Sequence, residues 1–213
     1  MDLKDNVQKG TTTVGLVCKD GIVLAADKRA TAGDLIVNQK TEKIQTVSDN
    51  IALTMAGTVS DAQLLIKVLT AELKLKEIRS NKISNVKAAA NLMANMVYSN
   101  IRRMSMIPGV THFLMAGKDD SGFSLYDLFA DGSITLIDDY ISSGSGSVMA
   151  YGLLEADYNK NLTVEEGIKL AVRAINSALS RDVNSGNGID VVTITKKGLE
   201  RMPTRVLKTK VDL

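Results

Sequence analysis

The sequence predicts an α+β fold in which helices and largely antiparallel sheets form separate layers. Strand patterns come first, and two helical patterns, further strands, two more helical patterns and a last strand follow. Such blocks are typical of layered α+β proteins and differ from the strand–helix alternation of a parallel sheet. With only 2 Pro and no linker or repeat in 213 residues, the chain is predicted to form a single domain.

The first strands are predicted from β-branched and apolar runs that turn residues separate. Residues 12–18 are rich in Thr and Val, and residues 22–26 form a second apolar run after the dipeptide Asp20-Gly21. This dipeptide is typical of the tight turn of a β-hairpin. Further short strands are predicted at residues 35–38, 43–47 and 51–56.

Helical periodicity begins at Ser60. Ser60 and Gln63 have the spacing of a capping box, and one apolar face is predicted to contain Leu64, Leu65, Val68, Leu69 and Leu73. Ser84 is the predicted N-cap of a second helix, whose apolar positions are Val86, Ala90, Met93, Met96, Val97 and Ile101. Pro108 and Gly109 end this helical region.

The second half repeats the order of strands and helices. Strands are predicted at residues 112–117, 124–129 and 133–137, and a loop at 142–146 precedes a helix that includes Val148 and Leu154. Thr163 and Glu166 form a second capping box, which begins a helix that includes Leu179. A strand at residues 189–195 follows that helix.

Composition excludes several classes of function. The net charge of +2 gives no basic field for nucleic acid, and 45% hydrophobic with 23% charged residues is ordinary for a soluble protein. One Cys and one His exclude a disulfide framework, a multi-cysteine zinc site and His-rich metal chemistry, and favour a reducing compartment. With no apolar run of about 18 residues and no apolar segment in the first ten, we expect a cytoplasmic protein without membrane contact or cofactor.

Familiar catalytic motifs are missing from the sequence. His112 lies in an apolar strand and is expected to be an ordinary, partly buried histidine, and Cys18 is expected to be a small core residue. Two segments remain, the threonine run after Gly10 and the charged residues from Asp27, which follow a buried strand. From the residues alone, an edge strand and a solvent-exposed strand end are the simpler interpretations.

Six sequence blocks, in the same order, resemble the catalytic β subunits of the proteasome core particle. The short leader before Thr11 resembles the archaeal type, and the resemblance covers nearly all of the chain from Thr11 onward. The blocks are TTTVG at 11–15, DGIVLAADKRAT at 20–31, KI at 43–44, MAG at 55–57, GSG at 144–146 with AYGLLE at 150–155, and RDVNSG at 181–186.

The resemblance implies an N-terminal-nucleophile hydrolase fold, a four-layer αββα sandwich, and a threonine endopeptidase that degrades unfolded proteins to short peptides. It implies that residues 1–10 are a propeptide removed by self-cleavage between Gly10 and Thr11, and that residues 11–213 are the catalytic domain. Cleavage would expose the Thr11 amine, whose ordinary pKa of about 7.7–8.0 suits a base for its own hydroxyl. Glycine at position 10 would tolerate a strained backbone during the acyl shift.

Roles for further residues follow from the same resemblance. Lys43 would lie beside the Thr11 hydroxyl and lower its pKa, and Asp27 would pair with Lys43. The backbone N–H of Gly57 would form the oxyanion hole, and glycine there would allow close approach of the substrate. The outer residues that order the Thr11 amine and a water would be Ser145, with Ser143 as a near alternative, Asp182 and Ser185.

The resemblance also implies where the substrate binds. The backbone of Thr31 would pair with an extended substrate chain as an added strand. The pocket for the side chain before the cut bond would be lined by Ala30, Thr41, Met55 and Val59. Because none of these is charged, we expect cleavage after large apolar residues and little after acidic or basic ones.

Implied partners are proteasome α subunits, copies of this chain in seven-membered rings, an ATP-dependent unfoldase and unfolded polypeptides. A non-catalytic ring subunit of the same fold is the first alternative, although Gly10, Thr11, Asp27 and Lys43 are all present. A metabolic amidohydrolase of the same fold is the second. It is disfavoured because such enzymes usually expose Cys or Ser, whereas Cys18 lies within a predicted strand.

Overall fold

The computed structural model describes residues 10–203 and shows two five-stranded antiparallel sheets packed face to face between two pairs of helices. The first sheet has the order β10-β1-β2-β11-β12, the second β5-β6-β7-β8-β9, and β3 and β4 form a separate hairpin. The elements are β1 (Thr13–Cys18), β2 (Gly21–Asp27), β3 (Ala30–Ala32), β4 (Leu35–Asn38), β5 (Ile44–Ser48), β6 (Ile51–Gly57), α1 (Val59–Ser80), α2 (Val86–Ile101), β7 (Thr111–Asp119), β8 (Gly122–Leu128), β9 (Ile134–Ile137), β10 (Tyr140–Ser143), α3 (Ser147–Asp157), α4 (Val164–Leu179), β11 (Ile189–Thr195) and β12 (Gly198–Arg201). This architecture confirms the predicted αββα fold class.

Strand β2 shows how the layers form, because it is buried on both faces. Its side chains alternate with the period of two that a strand imposes. Val23 and Ala25 pack under α3 and α4, while Ile22, Leu24 and Ala26 face the second sheet. On its other face the second sheet is covered by α1 and α2, which share its apolar core. A strand with apolar side chains on both faces is therefore stable only between two packed layers.

The sheets confirm several predicted elements and add three. The Asp20-Gly21 turn joins β1 to β2 in an antiparallel hairpin, and β11 has the predicted bounds. Strands β3, β10 and β12 were not predicted, since each has only three or four residues and depends on a neighbouring strand. The predicted loop at 142–146 was partly wrong, because Ser142 and Ser143 pair with β1.

Two predicted helix starts were wrong. The helix α1 begins at Val59 after Thr58, and the Ser60 hydroxyl donates to its neighbour Asp61 instead of closing a capping box. The N-cap of α2 is Asn85 and not Ser84, because the Asn85 side chain accepts a hydrogen bond from a backbone N–H of the first turn. The predicted capping box of Thr163 and Glu166 is confirmed at α4, where both of its hydrogen bonds form.

The predicted apolar face of α1 was also partly wrong. Leu65, Leu69 and Leu73 are buried against the second sheet as expected, but Leu64 and Val68 are 55% and 41% exposed. Ala62 and Ile66 take their places in the core. Because residues 64–66 and 68–69 are all apolar, the pattern does not show which of them face inward, and the periodicity of this helix was ambiguous. Among residues 10–203, the helices lack the combination of length and hydropathy needed to cross a membrane.

Candidate active site

Thr11 precedes β1 and is buried where the two sheets meet the hairpin of β3 and β4. Its hydroxyl donates a hydrogen bond of 2.7 Å to the carbonyl oxygen of Gly10. Its backbone N–H donates to Ser145 Oγ at 3.3 Å. The hydroxyl thus lies beside the carbonyl group of the preceding peptide bond, which is the bond predicted to be cut.

The carboxylate of Asp27, at the end of β2, is fully buried and accepts four hydrogen bonds. Lys43 Nζ and the backbone N–H of Thr12 donate to Oδ1 at 2.7 Å and 2.9 Å. The backbone N–H groups of Arg29 and Gly186 donate to Oδ2 at 3.0 Å and 2.9 Å. Each oxygen therefore has two donors, which compensates for the loss of water around a buried charge.

Lys43 connects Asp27 to the predicted cleavage site. Its side chain is 4% exposed, and besides the ion pair with Asp27 its Nζ donates to the Gly10 carbonyl oxygen at 3.3 Å. Burial lowers the pKa of Lys43 below its ordinary value of 10.5, and the charge and hydrogen bond of Asp27 oppose that shift. The result is a cation that is held in place and yet gives up its proton more readily than an exposed lysine.

On the other side of Thr11, a chain of hydroxyls is organised by one carboxylate. Asp182 Oδ2 accepts hydrogen bonds of 2.6 Å from both Ser145 and Ser185. Ser185 also shares a 2.7 Å hydrogen bond with the hydroxyl of Thr12. The prediction did not include Thr12, since the threonine run in which it lies is typical of any edge strand.

Ser143, the alternative to Ser145, has a hydrogen-bond partner other than Thr11. Its hydroxyl lies 2.8 Å from Nδ1 of His112, whose Nε2 lies 2.5 Å from Asp127 Oδ1. His112 is partly buried, as expected. Sequence reasoning missed this Ser–His–Asp cluster, because its members lie on three separate strands, β10, β7 and β8. Because Ser143 is only 3% exposed, its hydroxyl is closed to a substrate.

A pocket next to Thr11 is lined by all the residues predicted to bind the substrate. These are Ala30, Thr31, Thr41, Met55 and Val59, together with Gly10, Thr11, Arg29, Lys43, Ala56, Gly57 and Ala62. The free volume is about 20 Å³, room for one water molecule. A large side chain would therefore require the wall to move, and the flexible Met55 is the residue best able to do so.

The structure shows a reason for glycine at position 57 besides the expected close approach of a substrate, which stays a prediction. Gly57 has φ of +95°, in the left-handed region. A Cβ there would lie 2.2 Å from the carbonyl oxygen of Val110. The end of β6 therefore requires glycine because of its own backbone and its contact with the segment before β7.

Together these contacts provide the groups that an acyl transfer would need. A hydroxyl lies against a carbonyl, a buried ion pair lies on one side, and a second carboxylate orders the serine that accepts from the Thr11 nitrogen. The structure thus brings every predicted catalytic residue into one cluster, and adds Thr12 and the backbone of Arg29 and Gly186. In residues 10–203, no three His, Cys, Asp or Glu side chains are grouped to hold a metal ion.

Comparisons with known proteins show the family to which this chain is similar. A family model described as proteasome subunit matches residues 7–194. The proteasome subunit beta of Archaeoglobus profundus is 47% identical over 197 residues, which cover 92% of this chain and 90% of the relative. The corresponding subunits of Ferroglobus placidus and Methanobrevibacter smithii are 46% and 44% identical, with 92% and 94% of this chain covered and 91% and 94% of the relatives.

Proposed function

The chain belongs to the proteasome subunit family as a β subunit of archaeal type, and we propose that it is catalytic, a threonine endopeptidase that uses Thr11 as an N-terminal nucleophile. The observation that supports this most directly is the contact between the Thr11 hydroxyl and the Gly10 carbonyl, with Lys43 and Asp27 beside it. A structural subunit needs no such contact. Apolar residues of similar volume could stabilise the fold as well as a buried ion pair does. The presence of the ion pair therefore favours a chemical role.

The first reaction would be self-cleavage of the Gly10–Thr11 bond. The Thr11 hydroxyl oxygen adds to the Gly10 carbonyl carbon, and Lys43 stabilises the negative charge that develops on the carbonyl oxygen. The C–N bond breaks, the hydroxyl proton passes to the released amine, and Gly10 becomes an ester of Thr11. Water then hydrolyses the ester, which leaves a carboxylate on the leader and a free hydroxyl and amine on Thr11. Residues 1–9 of the leader lie outside the described residues.

The second reaction would be hydrolysis of peptide bonds by the exposed Thr11. Its amine accepts the hydroxyl proton, and the hydroxyl oxygen attacks the substrate carbonyl. The C–N bond breaks, the new amine leaves with that proton, and water hydrolyses the acyl ester. The hydrogen bond from the Thr11 nitrogen to Ser145, which Asp182 fixes, would orient the amine, and the Gly57 N–H would stabilise the oxyanion.

The metabolic amidohydrolase has no support from the cysteine of this chain. Cys18 is buried in the core of the first sheet, and its burial raises the pKa of the thiol to about 12. A thiol of that pKa stays protonated at neutral pH and is a poor nucleophile. A comparison of peptide amides with small acyl amides as substrates would separate this alternative from an endopeptidase.

The proposed assembly consists of rings of this chain, which are seven-membered in the family, stacked against rings of α subunits. We place this particle in the cytoplasm as a soluble assembly, where an unfoldase supplies it with unfolded polypeptides. Several large apolar side chains support an interface: Met104, Met106, Val148 and Val183 are 75% to 100% exposed. Contact with another chain would remove the apolar surface of these side chains from water. Full peptidase activity from an isolated monomer in size-exclusion chromatography would contradict the assembly.

The experiment that tests the proposed function is intact-mass analysis of the assembled protein with Thr11 or with Thr11→Ala. We expect a chain that begins at Thr11 in the wild type. Thr11→Ala should keep its leader and have no peptidase activity, because the substitution removes the nucleophile. A wild-type particle that is active with its leader attached would overturn the proposal.

A further inference from the structure

Gly10 packs directly against Asn184, in the loop between α4 and β11. A Cβ placed on Gly10 would lie 1.5 Å from Cβ, 2.5 Å from Cγ and 2.7 Å from Cα of Asn184. Distances below about 3.0 Å between a Cβ and an atom that is not bonded to it essentially never occur in real proteins. Because the Cα and Cβ positions are set by the backbone, a rotation of the Asn184 side chain cannot remove the overlap.

The loop that carries Asn184 cannot move away without breaking the active site. The Asn184 N–H donates to Asp182 Oδ1 at 3.1 Å, and its side-chain oxygen accepts from the Thr31 hydroxyl at 3.2 Å. The next two residues are fixed as well, Ser185 by Asp182 and Gly186 by Asp27. Any shift that made room at position 10 would therefore disturb both carboxylates.

Glycine at position 10 was expected to tolerate a strained backbone during the acyl shift, and that expectation stays a prediction. The structure shows a separate reason for glycine: the overlap with Asn184 excludes a side chain. The three atoms nearest to the absent Cβ all belong to Asn184, and none belongs to the pocket residues Ala30, Met55 or Val59.

We propose that Asn184 is a specificity-determining residue for self-cleavage, which admits only glycine before Thr11. This inference rests on the proposed function, because it concerns the residue whose carbonyl Thr11 attacks. It also separates two specificities of one nucleophile. Asn184 selects the leader at position 10, whereas the pocket with Met55 selects the substrate after the leader has gone.

A double-mutant cycle in the full-length, assembled protein tests the proposal. The rate of leader loss is followed by intact mass for Gly10 and Gly10→Ala, each in the wild-type, Asn184→Gly and Asn184→Ala backgrounds. Displacement of the Gly10 carbonyl by about 1 Å should slow cleavage about 100-fold in Gly10→Ala. Asn184→Gly removes the atom nearest to the added Cβ. It should reduce the ratio of the cleavage rates of Gly10 and Gly10→Ala about tenfold, which is within the range of coupling between contacting residues. Asn184→Ala keeps its Cβ and should leave the ratio unchanged.

The outcomes separate the inference from the proposed function. A wild-type chain that never loses its leader contradicts the function. If the wild type is cleaved, and Gly10→Ala is cleaved equally fast or is slowed equally in all three backgrounds, the function stands and the inference fails. As a second readout, Asn184→Gly should keep the relative preference among peptides that differ at the residue before the cut bond. A changed preference would show that Asn184 belongs to the substrate pocket.

Discussion

Replacement of Lys43 by methionine removes the charge while it keeps most of the volume of the side chain, and it separates the stability of the site from its chemistry. Lys43 and Asp27 are 4% and 0% exposed, so the lost cation leaves a buried carboxylate without its partner. Such a loss costs about 3–5 kcal/mol. Since the Asp27 carboxylate keeps the N–H donors of Thr12, Arg29 and Gly186, we expect the lower end, about 3 kcal/mol.

The matched variant is Lys43→Met with Asp27→Asn, which removes both charges. It should recover about 1–2 kcal/mol of the lost stability, because no unpaired ion remains buried. Neither variant should lose its leader or hydrolyse peptides, since the cation beside the Gly10 carbonyl is gone in both. Thermal unfolding at fixed protein concentration measures the first effect. Intact mass and a fluorogenic peptide assay measure the second.

One further variant defines the result that would refute this reasoning. Lys43→Arg keeps a positive charge for Asp27, so it should be more stable than Lys43→Met. Its planar guanidinium does not replace a compact ammonium at the carbonyl, and it should be nearly inactive. Near-normal turnover in Lys43→Arg, or activity restored by the double variant, would show that Lys43 does not act on the reacting group.

Three other predictions follow from the same contacts. Because burial lowers the pKa of Lys43 in the folded protein, the unfolded chain binds the Lys43 proton more strongly than the folded chain does. The stability of the wild type relative to Lys43→Met should therefore rise with pH through the alkaline range, up to about pH 10.4. Thermal unfolding across that range measures this rise. Asp182→Ala should lower kcat for peptides by at least about tenfold, since Ser145 and Ser185 both lose their acceptor, and Asp182→Asn, which keeps an acceptor oxygen, should be less affected. In a panel of peptides that differ only at the residue before the cut bond, cleavage after Leu, Phe and Tyr should be preferred over cleavage after Arg and Glu, because burial of an apolar side chain contributes about 1.5–3 kcal/mol. A preference for Arg or Glu would contradict the pocket assigned to Ala30, Thr41, Met55 and Val59.

Most of the fold was open to prediction because its signals are local. The Asp20-Gly21 turn specifies a hairpin through residues that are neighbours in the chain, and the capping box of Thr163 and Glu166 spans a single helical turn. Short strands lacked such signals. The strand β10 forms only because Thr13 pairs with Ser143, a residue 130 positions away, and no window of sequence contains both.

The candidate site also has features that could be predicted from the sequence and features that could not. The sequence by itself determined which residues belong to it, since Thr11, Asp27, Lys43 and Asp182 lie in blocks that resemble one family. Only the tertiary structure decided their partners: that Asp27 accepts four hydrogen bonds, and that Ser145 and not Ser143 meets the Thr11 nitrogen. It also decided that Asn184 excludes a side chain at Gly10. The physical reason is distance along the chain, because hydrogen bonds and steric contacts act over a few ångströms between segments that folding alone brings together.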